Sequence, residues 1–111
     1  MYIKTIDPKE VAESIINNFG KQTVIISVAE HSAIDINALI GCLVEHDIQF
    51  IGGVFPKVIS GTEVYDEGMI LTGFSNVVET YLVKGLDTES FKIPKIDLED
   101  DENYFLFTFV D

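Results

Sequence analysis

The chain begins with a polar segment and then places apolar residues at helical spacing. The apolar positions share one stripe: Val11, Ala12, Ile15, Ile16 and Phe19. Such a stripe is typical of an amphipathic helix. Asp7 can cap the first amides, Pro8 suits the first helical position, and Glu10 stands where a capping box closes. Gly20 follows the last apolar residue and predicts the end of the helix.

The middle of the chain predicts a strand, a helix and a second strand. Residues 22–29 form a nearly continuous apolar run, the pattern of a strand buried on both faces. A polar connection over residues 30–35 follows, in which either Ser32 or Asp35 can cap the next helix. The helical stripe is Ile36, Leu39, Ile40, Leu43 and Val44. Residues 49–54 form the second strand. This order is a βαβ unit, so we expect the two strands to be parallel.

Beyond this unit the pattern changes to short strands joined by turns. Residues 58–59, 63–66 and 68–74 predict such strands, and residues 76–84 alternate as a half-exposed strand. No helix separates them, so antiparallel pairing is expected. Residues 104–110 predict a last strand that is apolar on both faces. A strand of this kind needs cover on each side, which indicates a chain that is one part of a longer protein.

The predicted fold class is α/β. A mixed sheet has a parallel βαβ core followed by antiparallel strands, and two helices pack mainly on one face. Composition supports a sheet-rich fold, because Val and Ile together number 26 whereas Leu and Ala number 11. A length of 111 residues predicts a single domain over residues 1–111, large enough for a core without disulfides or metal.

The net charge of the chain argues against two classes of binding partner. Seven lysines, no arginine and 19 acidic residues give a net charge of −12. A surface this negative repels phosphate groups, so neither nucleic acid nor an anionic membrane is an expected partner. No apolar run is long enough to cross a bilayer, and residues 1–10 lack the apolar centre of a signal peptide. One cysteine is consistent with a reducing compartment, and the predicted location is the cytoplasm.

Two loops form the candidate ligand site. Glu30, His31 and Ser32 leave the first parallel strand at the edge where we expect the diglycine Gly52-Gly53 to emerge from the second. Paired glycines allow backbone amides to approach a ligand closely, and open α/β sheets bind ligands in the crevice outside such strand ends. The alternative is that the diglycine only forms a bulge or turn. Neither a dinucleotide fingerprint nor a P-loop is present, so no cofactor is expected.

The remaining reactive residues favour structural roles. Cys42 and His46 are one helical turn apart, but no second pair completes a tetrahedral metal site. The acidic run of residues 97–102 lacks the glycine and glutamate of a calcium loop. No nucleophile elbow occurs, so no catalytic residue is predicted. An enzyme that uses His31 with Glu30 or Asp35 is a third, less favoured interpretation.

One segment resembles a known family. The run Ile-Gly-Gly-Val-Phe-Pro over residues 51–56, preceded by the helix and the first buried strand, looks like the N-terminal FIST domain (F-box and intracellular signal transduction proteins). The final Tyr-Phe-Leu-Phe-Thr-Phe-Val-Asp is similar to an apolar strand of that family that ends in aspartate. The similarity covers residues 9–111 and implies that the chain corresponds to the N-terminal half of the family's domain.

The resemblance implies a sensory, small-ligand-binding module, for which amino acids are the proposed ligands. It implies that Gly52 and Gly53 match the family's glycine pair and that Asp111 matches its aspartate, and it supplies no catalytic residue. We therefore expect a non-enzymatic ligand sensor in signal transduction. The alternative is a non-catalytic structural or protein-interaction domain that associates, including with its own copies, through exposed sheet edges.

Overall fold

A computed structural model of the chain describes residues 1–75, 81–85, 87–89 and 92. These belong to two units, Met1–Val78 and Glu79–Asp111. In the second unit, the amide and hydroxyl of Thr88 donate to the carbonyl oxygen of Gly85. Residues 81–85 contain no strand, so the predicted strand over residues 76–84 is wrong at residues 81–84. Its first part and the predicted strand over residues 104–110 lie outside the described residues.

The described residues of the first unit, 1–75, form two helices and six strands. Their bounds are β1 Tyr2–Ile3, α1 Pro8–Phe19, β2 Thr23–Ala29, α2 Ile36–Glu45, β3 Phe50–Phe55, β4 Val58–Ser60, β5 Glu63–Tyr65 and β6 Met69–Phe74. The main sheet has the order β1-β6-β2-β3, and β4 and β5 form a separate hairpin. β2 is parallel to β3 and antiparallel to β6. The predicted α/β class, with its parallel βαβ core and later antiparallel strands, is confirmed.

Both helices begin at an aspartate. The Asp7 carboxylate accepts a hydrogen bond from the Lys9 amide at 2.9 Å, and Asp35 accepts one from the Ala38 amide at 3.0 Å. Each bond satisfies a donor that the first helical turn leaves without an intrahelical partner. Asp35 is therefore the cap of α2. Gly20, with a φ of 60°, ends α1 in a backbone conformation that favours glycine.

The two helices share a core on one face of the main sheet. The buried members of that core are Val11, Ala12, Ile15, Val24, Ile26, Val28, Ile34, Leu39, Leu43, Met69 and Leu71. On β2, the alternate residues Ile25 and Ser27 point away from the helices and are only half-buried. The prediction that β2 is buried on both faces thus holds fully for one face only. No helix among the described residues has both the length and the apolar character that a membrane crossing requires.

The hairpin of β4 and β5 lies against the face of the sheet that the helices leave open. The ring of Tyr65 in the hairpin stacks on the ring of Tyr2 with centroids 3.9 Å apart. Val58 is 4% exposed, whereas its neighbour Ile59 is 67% exposed. One side of the hairpin is thus packed inward, and the other faces solvent.

The diglycine lies inside β3. Gly52 pairs with Ile26 and Gly53 pairs with Ser27, and the strand continues to Phe55. A methyl group on Gly52 would overlap the carbonyl oxygen of Ile26, whereas a methyl group on Gly53 would approach only the Phe55 ring, at 3.4 Å. Gly52 therefore permits the close approach of β3 to β2, while a methyl group at Gly53 would only touch an aromatic ring.

Replacing the two glycines should have unequal effects on stability. We expect Gly52→Ala to lower the free energy of unfolding by about 1–3 kcal/mol, because the added methyl must push the β2 backbone aside. Gly53→Ala is the matched control, since its methyl makes a near-normal contact with a side chain that can turn. Urea denaturation of the three proteins measures the difference. Equal midpoints for the two variants would contradict the close approach at Gly52.

Candidate functional site

The carboxyl ends of the two parallel strands lie side by side. Ala29 pairs with Phe55, and the Glu30 amide donates to the Phe55 carbonyl oxygen at 2.7 Å. The loop after β2 and the connection after β3 therefore leave the sheet together, as the sequence predicts. Open α/β sheets place ligands at this kind of edge.

The loop after β2 is held by the turn between β5 and β6. The His31 amide donates to the Asp66 carbonyl oxygen at 3.2 Å. The Ser32 hydroxyl donates to the Gly68 carbonyl oxygen at 2.9 Å and accepts from the Gly68 amide at 2.8 Å. Gly68 has a φ of 87°, and a side chain there would strike the Tyr2 ring. The Ser32 hydroxyl is thus engaged in fixing this turn.

Glu30 and His31 expose their side chains next to this turn. In the turn itself, the Glu67 carboxylate lies 2.7 Å from the Lys4 ammonium. The hydrogen bond that the Lys4 ammonium donates to the Glu67 carboxylate, together with the negative charge of that carboxylate, raises the pKa of Lys4. Among the described residues, no group of histidine, cysteine and carboxylate side chains is arranged to hold a metal ion.

The second histidine lies at the end of α2. A ring nitrogen of His46 (Nδ1) is 2.8 Å from the Cys42 carbonyl oxygen. Cys42 itself is half-buried and packs against the core. Both contacts fit the interpretation of these residues as structural, with a packed thiol and a histidine that closes a helix.

The diglycine Gly52-Gly53 is not at the end of β3, where the sequence predicts it. Gly52 and Gly53 lie in the middle of β3, opposite Ile26 and Ser27, so they do not emerge beside the loop that carries Glu30. The expected position at the strand end is wrong because β3 continues through Val54 to Phe55. Asp111 lies outside the described residues. A ligand-binding role for the six residues predicted from the sequence stays a prediction.

A shallow concavity lies instead on the open face of the sheet, near the carboxyl ends of β2 and β3. Its volume is about 300 Å³, and its walls are formed by Ser27, Phe55, Lys57, Val58, Ile59 and Ile70. Ser27 and Ile70 are register partners in the main sheet. The hairpin supplies Val58 and Ile59. The Phe55 ring lies beside Gly53, 3.4 Å from the position that a methyl group on Gly53 would take.

The described walls of the concavity are mostly apolar and include one cationic side chain. Lys57 is exposed at its rim, in a chain with a net charge of −12, and the Ser27 hydroxyl adds a donor and acceptor. Among the residues that the structure describes, the lining side chains include no carboxylate, imidazole or thiol. This set is suited to holding an apolar group and a negatively charged or polar head. Sequence reasoning missed the site because it depends on where the hairpin folds back, which residue spacing does not specify.

The fold and the concavity define an α/β protein with a mixed sheet and a candidate small-molecule site on its open face. In comparisons with known proteins, no family model, no curated protein and no solved structure matches this chain.

The bonds between Ser32 and Gly68 should contribute measurably to stability. We expect Ser32→Ala to lower the free energy of unfolding by about 1–2 kcal/mol, because the part-buried Gly68 amide and carbonyl lose their hydroxyl partner. His31→Ala is the control, since the His31 side chain is exposed and only its backbone bonds the turn. Urea denaturation tests both. A Ser32→Ala protein as stable as the control would contradict this assignment.

Proposed function

We propose that this chain is a small-ligand-binding module that acts as a sensor in signal transduction. The observation that carries the proposal is the concavity of about 300 Å³ between the hairpin and the open face of the sheet. Its volume is at the lower end of the range for small-molecule pockets. It lies on the open face of the sheet, close to the carboxyl ends of two parallel strands, and open α/β sheets usually bind ligands just beyond such ends.

The lining favours a ligand with an apolar body and a carboxylate. Phe55, Val58 and Ile70 offer apolar contact, and the Lys57 ammonium offers a counter-charge. An apolar amino acid has this combination of groups and a fitting size, and the Ser27 hydroxyl is the side-chain acceptor available to its ammonium group. The resemblance of residues 51–56 to the FIST family also supports amino acids as ligands. The proposed location of the module is the cytoplasm, where a single free thiol stays reduced.

Binding at this site would couple two parts of the fold. Ser27 and Ile70 belong to the four-stranded sheet, whereas Val58 and Ile59 belong to the hairpin. A ligand that contacts all four binds best when hairpin and sheet are close, so it favours that arrangement over more open ones. Such a population shift is a means of reporting occupancy to a downstream partner.

Calorimetric titration with apolar amino acids tests the proposal. We expect Lys57→Met to weaken binding by about tenfold, because a hydrogen bond to a charged group is lost. The matched control is Lys21→Met, an exposed lysine between α1 and β2, and it should bind as the unaltered protein does. Amino-acid amides, which lack the carboxylate, should also bind about tenfold more weakly.

Three outcomes would contradict the proposal. A folded protein that binds no member of the panel would remove the sensory function. Binding that is equally strong with Lys57→Met would place the ligand elsewhere. Equally strong binding of the amino acids and of their amides would show that the proposed ligand class is wrong.

A further inference from the structure

The hairpin of β4 and β5 contacts the main sheet through one pair of side chains. Val58 of β4 and Tyr65 of β5 are register partners, so their side chains leave the hairpin on the same side. Val58 is 4% exposed, and Tyr65 is half-buried. The next pair along the hairpin, Ile59 and Val64, is exposed. The hairpin therefore rests on the pair that Val58 and Tyr65 form.

A row of side chains across the open face of the main sheet lies beneath this pair. Tyr2 of β1, Ile70 of β6 and Ser27 of β2 are successive register partners, so they share one face. At one end of the row, the Tyr65 ring stacks on the Tyr2 ring with centroids 3.9 Å apart and an angle of 15° between the ring planes. Further along the row, Val58 lines the concavity together with Ile70 and Ser27. The stacked rings and the candidate site are therefore neighbours.

The Tyr2 ring is fixed on the sheet by contacts with the turn before β6. Its hydroxyl donates to the Glu67 carbonyl oxygen at 2.9 Å. A methyl group on Gly68 would come within 2.6 Å of the Tyr2 side chain, so the ring lies directly against this glycine. The Lys4 ammonium, two residues along the chain from Tyr2, bonds the Glu67 carboxylate. Tyr2 is thus the support of the stacked pair, and Tyr65 is the part that belongs to the hairpin.

The hairpin needs this support because it is small. Each of its strands is three residues long, and an isolated two-stranded hairpin is marginally stable in water. Backbone hydrogen bonds fix the chain on either side of it: Glu30 donates to Phe55 before the hairpin, and His31 donates to Asp66 after it. The position of the hairpin between these two points depends on its inward side chains. Loss of the aromatic stack therefore favours more open arrangements of the hairpin.

We propose that the stack of Tyr2 and Tyr65 is a latch that sets the position of the hairpin and so regulates the candidate ligand site. The inference rests on the proposed function, since it concerns the same site. With the latch closed, Val58 and Ile59 form a wall beside Ser27, and with the latch open a ligand loses its apolar contacts with that wall. The coupling is reciprocal, so a bound ligand favours the closed latch as much as the closed latch favours binding. The two tyrosines are positioning residues and do not line the concavity.

Hydrogen exchange of the full chain without ligand tests the latch. We expect Tyr65→Leu to speed exchange of the amides of β4 and β5 by about three- to tenfold, because the aromatic pair is lost while an apolar side chain remains. Tyr65→Phe is the matched control, since it keeps the ring, and it should exchange as the unaltered protein does. The amides of α1 should keep their protection in both variants. Equal exchange of β4 and β5 in the two variants would overturn the proposal.

Calorimetric titration of the same proteins with leucine tests the regulation. We expect Tyr65→Leu to weaken leucine binding by about three- to tenfold and Tyr65→Phe to leave it unchanged, because only the former opens the latch. A stack that serves stability alone would lower the urea midpoint of Tyr65→Leu and leave its dissociation constant unchanged, which would overturn the proposal.

The unaltered protein provides a second measurement, which decides the matter if Tyr65→Leu fails to fold. Saturating leucine should slow exchange of the amides of β4 and β5 more than that of the amides of α1, and equal slowing would overturn the coupling. A folded protein that binds no amino acid would remove the proposed function and the regulation with it. The exchange comparison without ligand would still decide whether the latch exists, so the two failures are distinguishable.

Discussion

The pairing of β2 with a neighbour on each side is the interaction on which the first unit depends. β2 is parallel to β3 over residues 24–29 and antiparallel to β6 over residues 23–28. Its helix-facing residues Val24, Ile26 and Val28 belong to the core. Both helices cover that face. The other face keeps half-buried positions and receives the hairpin, so the same strand that builds the core also supplies one wall of the concavity.

The elements that the sequence predicts correctly are those with local signals. Asp7, Asp35 and Gly20 mark helix ends through bonds that span only a few residues, and the stripe of α1 requires no knowledge of its partner. The parallel pairing of β2 and β3 follows from the intervening helix. Long-range contacts are harder to predict from the sequence. The insertion of β6 between β1 and β2 depends on segments far apart in the chain, and so do the hydrogen bonds between Ser32 and Gly68.

In the candidate site, too, the sequence predicts some features correctly and others not. The carboxyl ends of β2 and β3 meet as the sequence predicts, but Gly52 and Gly53 lie within the strand. A glycine in a predicted strand can mark a turn at the strand end or a close approach of the neighbouring backbone. Residue spacing alone does not distinguish the two. The contact between Gly52 and the Ile26 carbonyl is of the second kind. Lys57 is a candidate ligand-binding residue because the fold places it in one concavity with Ser27 and Ile70, which the sequence alone does not indicate.

The strand order has a consequence for how the protein is made. The ammonium group of Met1 donates to the Leu71 carbonyl oxygen across 70 positions, and β6 separates two strands that are synthesised long before it. On the ribosome, β2 and β3 can associate early, but the other side of β2 has no native neighbour until Phe74 has emerged. An apolar central strand is then exposed for a period set by translation, and a nascent chain in this state is a natural client for a chaperone.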